Sequence, residues 1–197
     1  MALSCDISPK YNEKKELIIK KWTSIVHKPK CIVFDLDMTL WPFLIDHKVL
    51  FPLRKINHHG NEKIFDHSNT EIKPFEDVPL ILETLRNSCI GPNEFLAIAS
   101  RATAGEHARQ LIDLFNWTNY FGSIQIYSGT KQKHMKRIFN DLKLKSFDEI
   151  LFFDDSKLNL ETTKSLGVIG HKVSRHYGLN VQEFLDGLDS YSSKCFK

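Results

Sequence analysis

The chain has 197 residues, 42% of them hydrophobic and 26% charged, which is enough for one well-buried domain and too few for two of ordinary size. A net charge of +3 is too small to make nucleic acid the main partner, and no apolar run approaches the roughly 18 residues of a membrane span. Four cysteines (Cys5, Cys31, Cys89, Cys195) form no C-x-x-C pair, and the first thirty residues carry no signal-peptide apolar region, so reduced thiols and a cytoplasmic or nuclear location are expected.

From the N-terminus, residues 1–9 read as loosely attached. Over 14–26, Ile18, Trp22, Ile25 and Val26 recur at helical spacing and predict a helix stopped near His27-Lys28-Pro29. Its flanking lysines read as a solvated face. Residues 1–29 are thus a partly helical extension ahead of a domain over 30–191, with 192–197 as a tail. Cys31-Ile32-Val33-Phe34 is a continuous apolar, β-branched run, as expected of a central parallel strand covered on both faces. It runs straight into Asp35-Leu36-Asp37-Met38-Thr39. Two aspartates at a strand end are costly unless a cation or a hydrogen-bond network compensates them, and ligands of open α/β sheets sit at that end.

Between 42 and 74 the regular pattern breaks. Pro42, Pro52, the turn-like His58-His59-Gly60-Asn61 and Ser68-Asn69 surround short alternating pieces near 63–65 and 71–73, predicting a small β-hairpin flap. The histidines here (His47, His58, His59, His67) lack the compact spacing of a zinc site. The remainder alternates helix and strand, with helices over 76–87, 104–115, 131–142, 159–166 and 181–191. The intervening strands cover 95–99, 123–127, 150–153 and, beginning a fifth, 168–170. Ser100 and Arg101 end the second strand. Lys131 opens a helix, where a cation opposes the macrodipole, so a nearby anion is expected. Asp154-Asp155 end the fourth strand.

The string D-x-D-x-T-L (Asp35, Asp37, Thr39, Leu40) resembles the nucleophile motif of the haloacid dehalogenase superfamily. Ser100, Lys131 and the pair Asp154-Asp155 follow in the order that superfamily uses. At finer grain, D-L-D-M-T-L-W-P-F, Ala99-Ser100-Arg101, Tyr127-Ser128-Gly129-Thr130-Lys131 and Phe152-Phe153-Asp154-Asp155 are similar to its magnesium-dependent phosphatase family. The resemblance implies a doubly wound parallel sheet ordered 3-2-1-4-5 with helices on both faces and, given the short insertion, no full cap domain. It also implies a Mg²⁺-dependent phosphomonoesterase. Asp35 would be the nucleophile, forming an aspartyl phosphate, and Asp37 the acid–base group. Mg²⁺ would be held by Asp35, the Asp37 backbone carbonyl and Asp155, with Asp154 behind them. The phosphate would be held by Ser100, Lys131, the Leu36 and Arg101 N–H groups and the Arg101 side chain. Thr39 would brace the loop, and Trp41 would pack in the core or under the flap.

The family is linked to phosphotyrosine-protein and sugar-phosphate phosphatases, so a phosphorylated protein or sugar is the implied partner of a monomeric enzyme, without nucleic acid or membrane. Three alternatives share parts of the pattern. A polymerase-tail phosphoserine phosphatase usually has Asp-Asn where this chain has Asp154-Asp155. A receiver domain places its phosphoacceptor after strand 3, where this chain has Ile126-Tyr127-Ser128. A non-catalytic phospho-ligand binding protein would have no need of every catalytic side chain.

Overall fold

The computed structural model describes residues 9–58 and 61–194. Residues 1–8, for which loose attachment is expected, and His59-Gly60 of the first turn lie outside it. The long helix α1 (Pro9–Ser24) precedes β1 (Cys31–Phe34). A five-stranded parallel sheet then builds around β1, with β5 (Phe95–Ser100), β6 (Phe121–Ile126), β7 (Ile150–Asp154) and β8 (Ile169–Lys172). The spatial order β6-β5-β1-β7-β8 is the expected 3-2-1-4-5 arrangement.

Side chains alternate across β1, as the two-residue period of a strand requires. Ile32 and Phe34 enter one core with Ile18 and Trp22 of α1, Phe184 of α7 (Val181–Lys194), and residues of α3 (Val78–Thr84) and α4 (Gly105–Leu114). Cys31 and Val33 enter the other core, with Met135 and Ile138 of α5 (Lys131–Asp141). Both faces of β1 are dry, so its sequence has no polar position. Phe34 stacks on Phe153 at 5.6 Å, and Phe153 on Phe184 at 5.8 Å. Gly187 lets α7 approach this stack, since a Cβ there would lie 2.4 Å from the Phe153 ring. Asp77 ties three helices together: one carboxylate oxygen accepts from Lys14 of α1 and the other from the Val181 N–H, at 3.1 Å.

Most helices begin and end within a few residues of their predicted bounds. The helix expected over 76–87 is split. Pro79 suits its first turn, but after Thr84 the backbone opens into a π-helical turn, Leu85–Cys89, where the Ile90 N–H reaches the Leu85 carbonyl at 2.9 Å. The flap is larger than a hairpin. A strand that was not foreseen, β2 (Arg54–His58), pairs with β3 (Asn61–Phe65), which pairs in turn with β4 (Glu71–Ile72), giving a three-stranded antiparallel sheet. Before it comes a short helix, α2 (Ile45–Lys48). Buried Asp66 shapes the Ser68-Asn69 turn, accepting the Ser68 and Thr70 N–H groups, each at 2.9 Å. No helix of the described residues is long and apolar enough to cross a membrane.

Candidate active site

The site forms where β1, β5 and β7 end. Asp35 extends β1, its N–H donating to the Phe153 carbonyl at 2.9 Å. The chain then coils tightly, with Thr39, Leu40 and Trp41 N–H groups all directed at the Leu36 carbonyl, at 3.1, 2.8 and 3.3 Å. Met38 takes the left-handed conformation, φ +59°, that the coil requires. This turn separates Asp35 and Asp37 in direction.

Lys131 lies at the centre, only 1% exposed. Its ammonium contacts Asp35 Oδ1 at 2.7 Å and Asp154 Oδ2 at 3.1 Å, and donates to the Ala99 carbonyl. Three acceptors therefore meet three N–H donors. The anion that its helix-start position calls for is supplied here by the protein's own carboxylates. Burial pushes the Asp35 carboxyl up, against the opposing pull of Lys131 and of the Leu36 N–H. Asp154 is pushed up to about 6 by burial and by the Asp35 charge, with Lys131, the Ser156 N–H and Asn159 acting against them.

The acidic pair divides its contacts. Asp154 is fully buried and accepts from the Ser156 N–H at 2.7 Å and from Asn159 Nδ2 at 3.0 Å to each oxygen. Asp155 meets the Arg175 Nε at 3.2 Å through Oδ2. Asp35, Asp154 and Asp155 each present an oxygen, all within 4.8 Å of one another, and this is the one such cluster among the described residues. His47 and His67 take no part in it. Hard oxygen donors without His or Cys suit Mg²⁺, and three carboxylates facing Lys131 and a mostly exposed Arg175 leave room for a further cation.

Asp37 points elsewhere. Its Oδ1 accepts the Trp41 indole N–H at 2.6 Å and its Oδ2 the Ile45 N–H at 3.2 Å, so its carboxylate lies outside the three-aspartate cluster. Burial pushes it up, against those two hydrogen bonds. Trp41 is fully buried and stacks on Phe43 at 5.6 Å, so the packing expected of it is joined by a polar contact to Asp37. The expected brace at Thr39 comes from its backbone. The Thr39 carbonyl accepts from the Leu179 N–H at 2.9 Å, whereas its buried hydroxyl has no hydrogen-bond partner. Ser100 is buried at the end of β5 and its Oγ accepts the Ala102 N–H at 3.2 Å. The Arg101 side chain is exposed.

Four contributors escaped the sequence reading. Asn159 had a faint signal, three residues after the helix-capping Ser156. His134 is fully buried and lies one turn beyond Lys131, with its ring nitrogens 2.8 Å from the Thr130 carbonyl and 3.0 Å from the Tyr127 carbonyl. Asp46 of α2 accepts the Thr103 and Ala104 N–H groups at 2.9 and 2.7 Å, fastening the flap region to the start of α4. Arg175 reaches Asp155 from a loop beyond β8. Nothing local announces the last two, because their partners are distant in the chain.

Comparison with known proteins shows the family. Residues 27–194 match the model of a family described as Acid Phosphatase. The human Magnesium-dependent phosphatase 1 is 33% identical over 164 residues, covering 83% of this chain and 88% of the human protein. An HAD-like hydrolase superfamily protein of Schizosaccharomyces pombe is 34% identical over 166 residues, covering 80% and 92%. A HAD-superfamily hydrolase structure from Ehrlichia chaffeensis shares the fold, with TM-score 0.58 at 18% identity over 84% of this chain and 98% of that one. With a family match over residues 27–194, and the motif residues gathered at one end of the central sheet, the chain belongs to the acid phosphatase family, among the magnesium-dependent phosphatases of the haloacid dehalogenase superfamily.

Proposed function

We propose that the protein is a Mg²⁺-dependent phosphomonoesterase that works through an aspartyl phosphate (an acyl phosphate) on Asp35 and acts on phosphotyrosine in proteins. The observation that carries this reading is the placement of Asp35 at the carboxyl end of the central strand, paired with buried Lys131 and beside a cluster of oxygen donors. Asp35, Asp155 and the Asp37 carbonyl would hold Mg²⁺, which when bound offsets the repulsion between a carboxylate nucleophile and a dianionic phosphate. Asp154 already serves Lys131, Asn159 and the Ser156 N–H, which favours Asp155 as the direct ligand.

In the first step an Asp35 oxygen forms a bond to phosphorus while the ester P–O bond breaks, and Asp37 gives its proton to the leaving oxygen. In the second step Asp37 takes a proton from water, whose oxygen bonds to phosphorus as the Asp35–phosphorus bond breaks. Inorganic phosphate leaves and both carboxyl groups return to their starting states. The raised Asp37 carboxyl suits this double duty, since a catalytic acid–base group works best with its pKa drawn toward the working pH. Ser100, Lys131 and the N–H groups of Leu36 and Arg101 would hold the phosphoryl oxygens.

A protein substrate is supported by the modest flap. The described residues of 42–74 form three short strands and one helical turn, too little chain for a full cap domain, and exposed apolar side chains, Leu44, Leu158 and Tyr177, follow closely on site residues in the sequence. The test is turnover of para-nitrophenyl phosphate, phosphotyrosine peptides and sugar phosphates, with Mg²⁺ and with excess chelator. Mg²⁺-dependent hydrolysis with acid-stable phosphate on the wild type and none on Asp35→Asn is expected. Undiminished turnover in chelator, or labelled phosphate on the mutant, refutes the assignment. Preference for sugar phosphates over every peptide refutes the substrate class alone.

A further inference from the structure

The loop after β8 forms an arch anchored at both ends on the catalytic machinery. At one end the Val173 N–H donates to the Asp154 carbonyl at 3.1 Å, and at the other the Leu179 N–H donates to the Thr39 carbonyl at 2.9 Å. The arch is closed on itself by the Gly178 N–H to the Ser174 carbonyl, at 2.7 Å. Gly178 is required there, because φ is +58° and a Cβ would fall 2.0 Å from the Phe75 ring. Between these fixed points stand Arg175, His176 and Tyr177. Such anchoring fixes the backbone of this segment to Asp154 and Thr39, and brings Arg175 to Asp155.

Arg175 is the informative member. Its Nε meets Asp155 Oδ2 at 3.2 Å, yet its side chain is 61% exposed. The guanidinium is thus held through one nitrogen at the edge of the aspartate cluster. A planar fork held through Nε still offers its terminal nitrogens to a carboxylate. Asp155 stands beside Arg175 at the acidic cluster, so the guanidinium borders the phosphoryl site from the β8 side. Tyr177, 66% exposed, and Leu158, 64% exposed one turn beyond the acidic pair, add apolar surface that a polypeptide can cover and a small sugar cannot.

We propose that Arg175, held at the site by the 173–179 arch, is a specificity-determining residue that pairs with an acidic side chain next to the phosphorylated residue of a protein substrate. The inference rests on the phosphatase reading above and adds which phosphoproteins are taken. An exposed Arg–carboxylate pair contributes up to about 1 kcal/mol, so an acidic flank should raise kcat/KM by about 3- to 5-fold at low salt, fading as ionic strength rises.

The experiment uses the full chain at saturating Mg²⁺ and three phosphotyrosine peptides differing only in Asp, Ala or Lys beside the phosphotyrosine. Para-nitrophenyl phosphate serves as a control without a flank. The wild type should prefer Asp over Ala by that factor. Arg175→Met should bring the ratio to about 1, and Arg175→Glu should turn the preference toward Lys. Taking ratios within each variant cancels any change in metal affinity caused by losing the contact to Asp155. An Asp-to-Ala ratio near 1 in the wild type, or one unchanged in Arg175→Met, overturns the proposal while leaving the phosphatase reading intact. An Arg175-dependent preference confined to sugar bisphosphates also overturns it, by assigning the second anion to a small molecule. No turnover of any substrate by the wild type, para-nitrophenyl phosphate included, instead overturns the phosphatase reading, and loss of para-nitrophenyl phosphate turnover in Arg175→Met overturns the specificity role by placing Arg175 in the catalytic step.

Discussion

Replacing Lys131 with methionine keeps the unbranched stem of the side chain and removes its terminal charge. In the folded protein the ammonium has two carboxylates and a backbone carbonyl around it and is shielded from water. Without it, Asp35 and Asp154 face each other across a buried space with no cation between them. Breaking a buried ion pair by deleting one partner typically costs about 3–5 kcal/mol, because the remaining charge has neither solvent nor counter-charge. The carboxyls can escape that cost by taking up protons. Both have folded pKa directions upward, Asp154 to about 6 even with Lys131 present, and removing the lysine drives them further up. A folded pKa raised above the unfolded value means the native state binds the extra proton. Stability of the variant therefore rises as pH falls through the raised pKa and is lost as pH climbs above it. Urea unfolding of Lys131→Met without Mg²⁺ should show about 3–5 kcal/mol of loss at pH 8 and only about 1–2 kcal/mol at pH 5, the residue of lost contacts and hydrogen bonds. Adding Mg²⁺ at pH 8 should restore part of the deficit, since a cation bound only by the folded state stabilises it. Equal losses at both pH values, or a loss below about 1 kcal/mol at pH 8, would show that Lys131 is not what reconciles these carboxylates.

Asp37→Asn should slow turnover by about 10²–10⁴-fold and, with the good leaving group of para-nitrophenyl phosphate, let phosphoenzyme accumulate. Rapid-quench analysis that finds no accumulation removes Asp37 as the acid–base group. Asp46→Ala takes a carboxylate cap from the Thr103 and Ala104 N–H groups and should cost about 1 kcal/mol, with faster hydrogen exchange at those two amides. Its hydrogen bonds, set against partial burial, leave the Asp46 carboxyl below its ordinary range. The contribution is therefore present at neutral pH and lost only as pH falls through that lowered value; unchanged exchange at both amides contradicts the clamp. Gly187→Ala sets a methyl 2.4 Å from the Phe153 ring and should destabilise by about 1–3 kcal/mol despite alanine's better helix propensity. A rise in melting temperature would mean that α7 does not sit that close to the sheet.

The sequence by itself marked the five strands of the central sheet and the residues at their ends, while their order came from the family resemblance. Cys31 to Phe34 and Ile150 to Phe153 are apolar without interruption because both faces of the sheet are covered, so their acidic endings mark the sheet's functional edge in one dimension. Polar residues at positions that cannot be solvated throughout need a partner, and that requirement is readable before any partner is known. The tertiary structure alone decided who the partners are. Lys131 meets Asp35 and Asp154 only because β5, β1 and β7 lie side by side and α5 starts behind them. Asp46 clamps Thr103, and Arg175 reaches Asp155, across separations over which a local pattern carries no information. The flap shows the same division. Its turns were legible from Gly, Asn and Ser, whereas β2 was not, since it is a mostly polar strand that pairing with β3 makes a strand, while the side chains of Arg54 to Asn57 stay largely exposed.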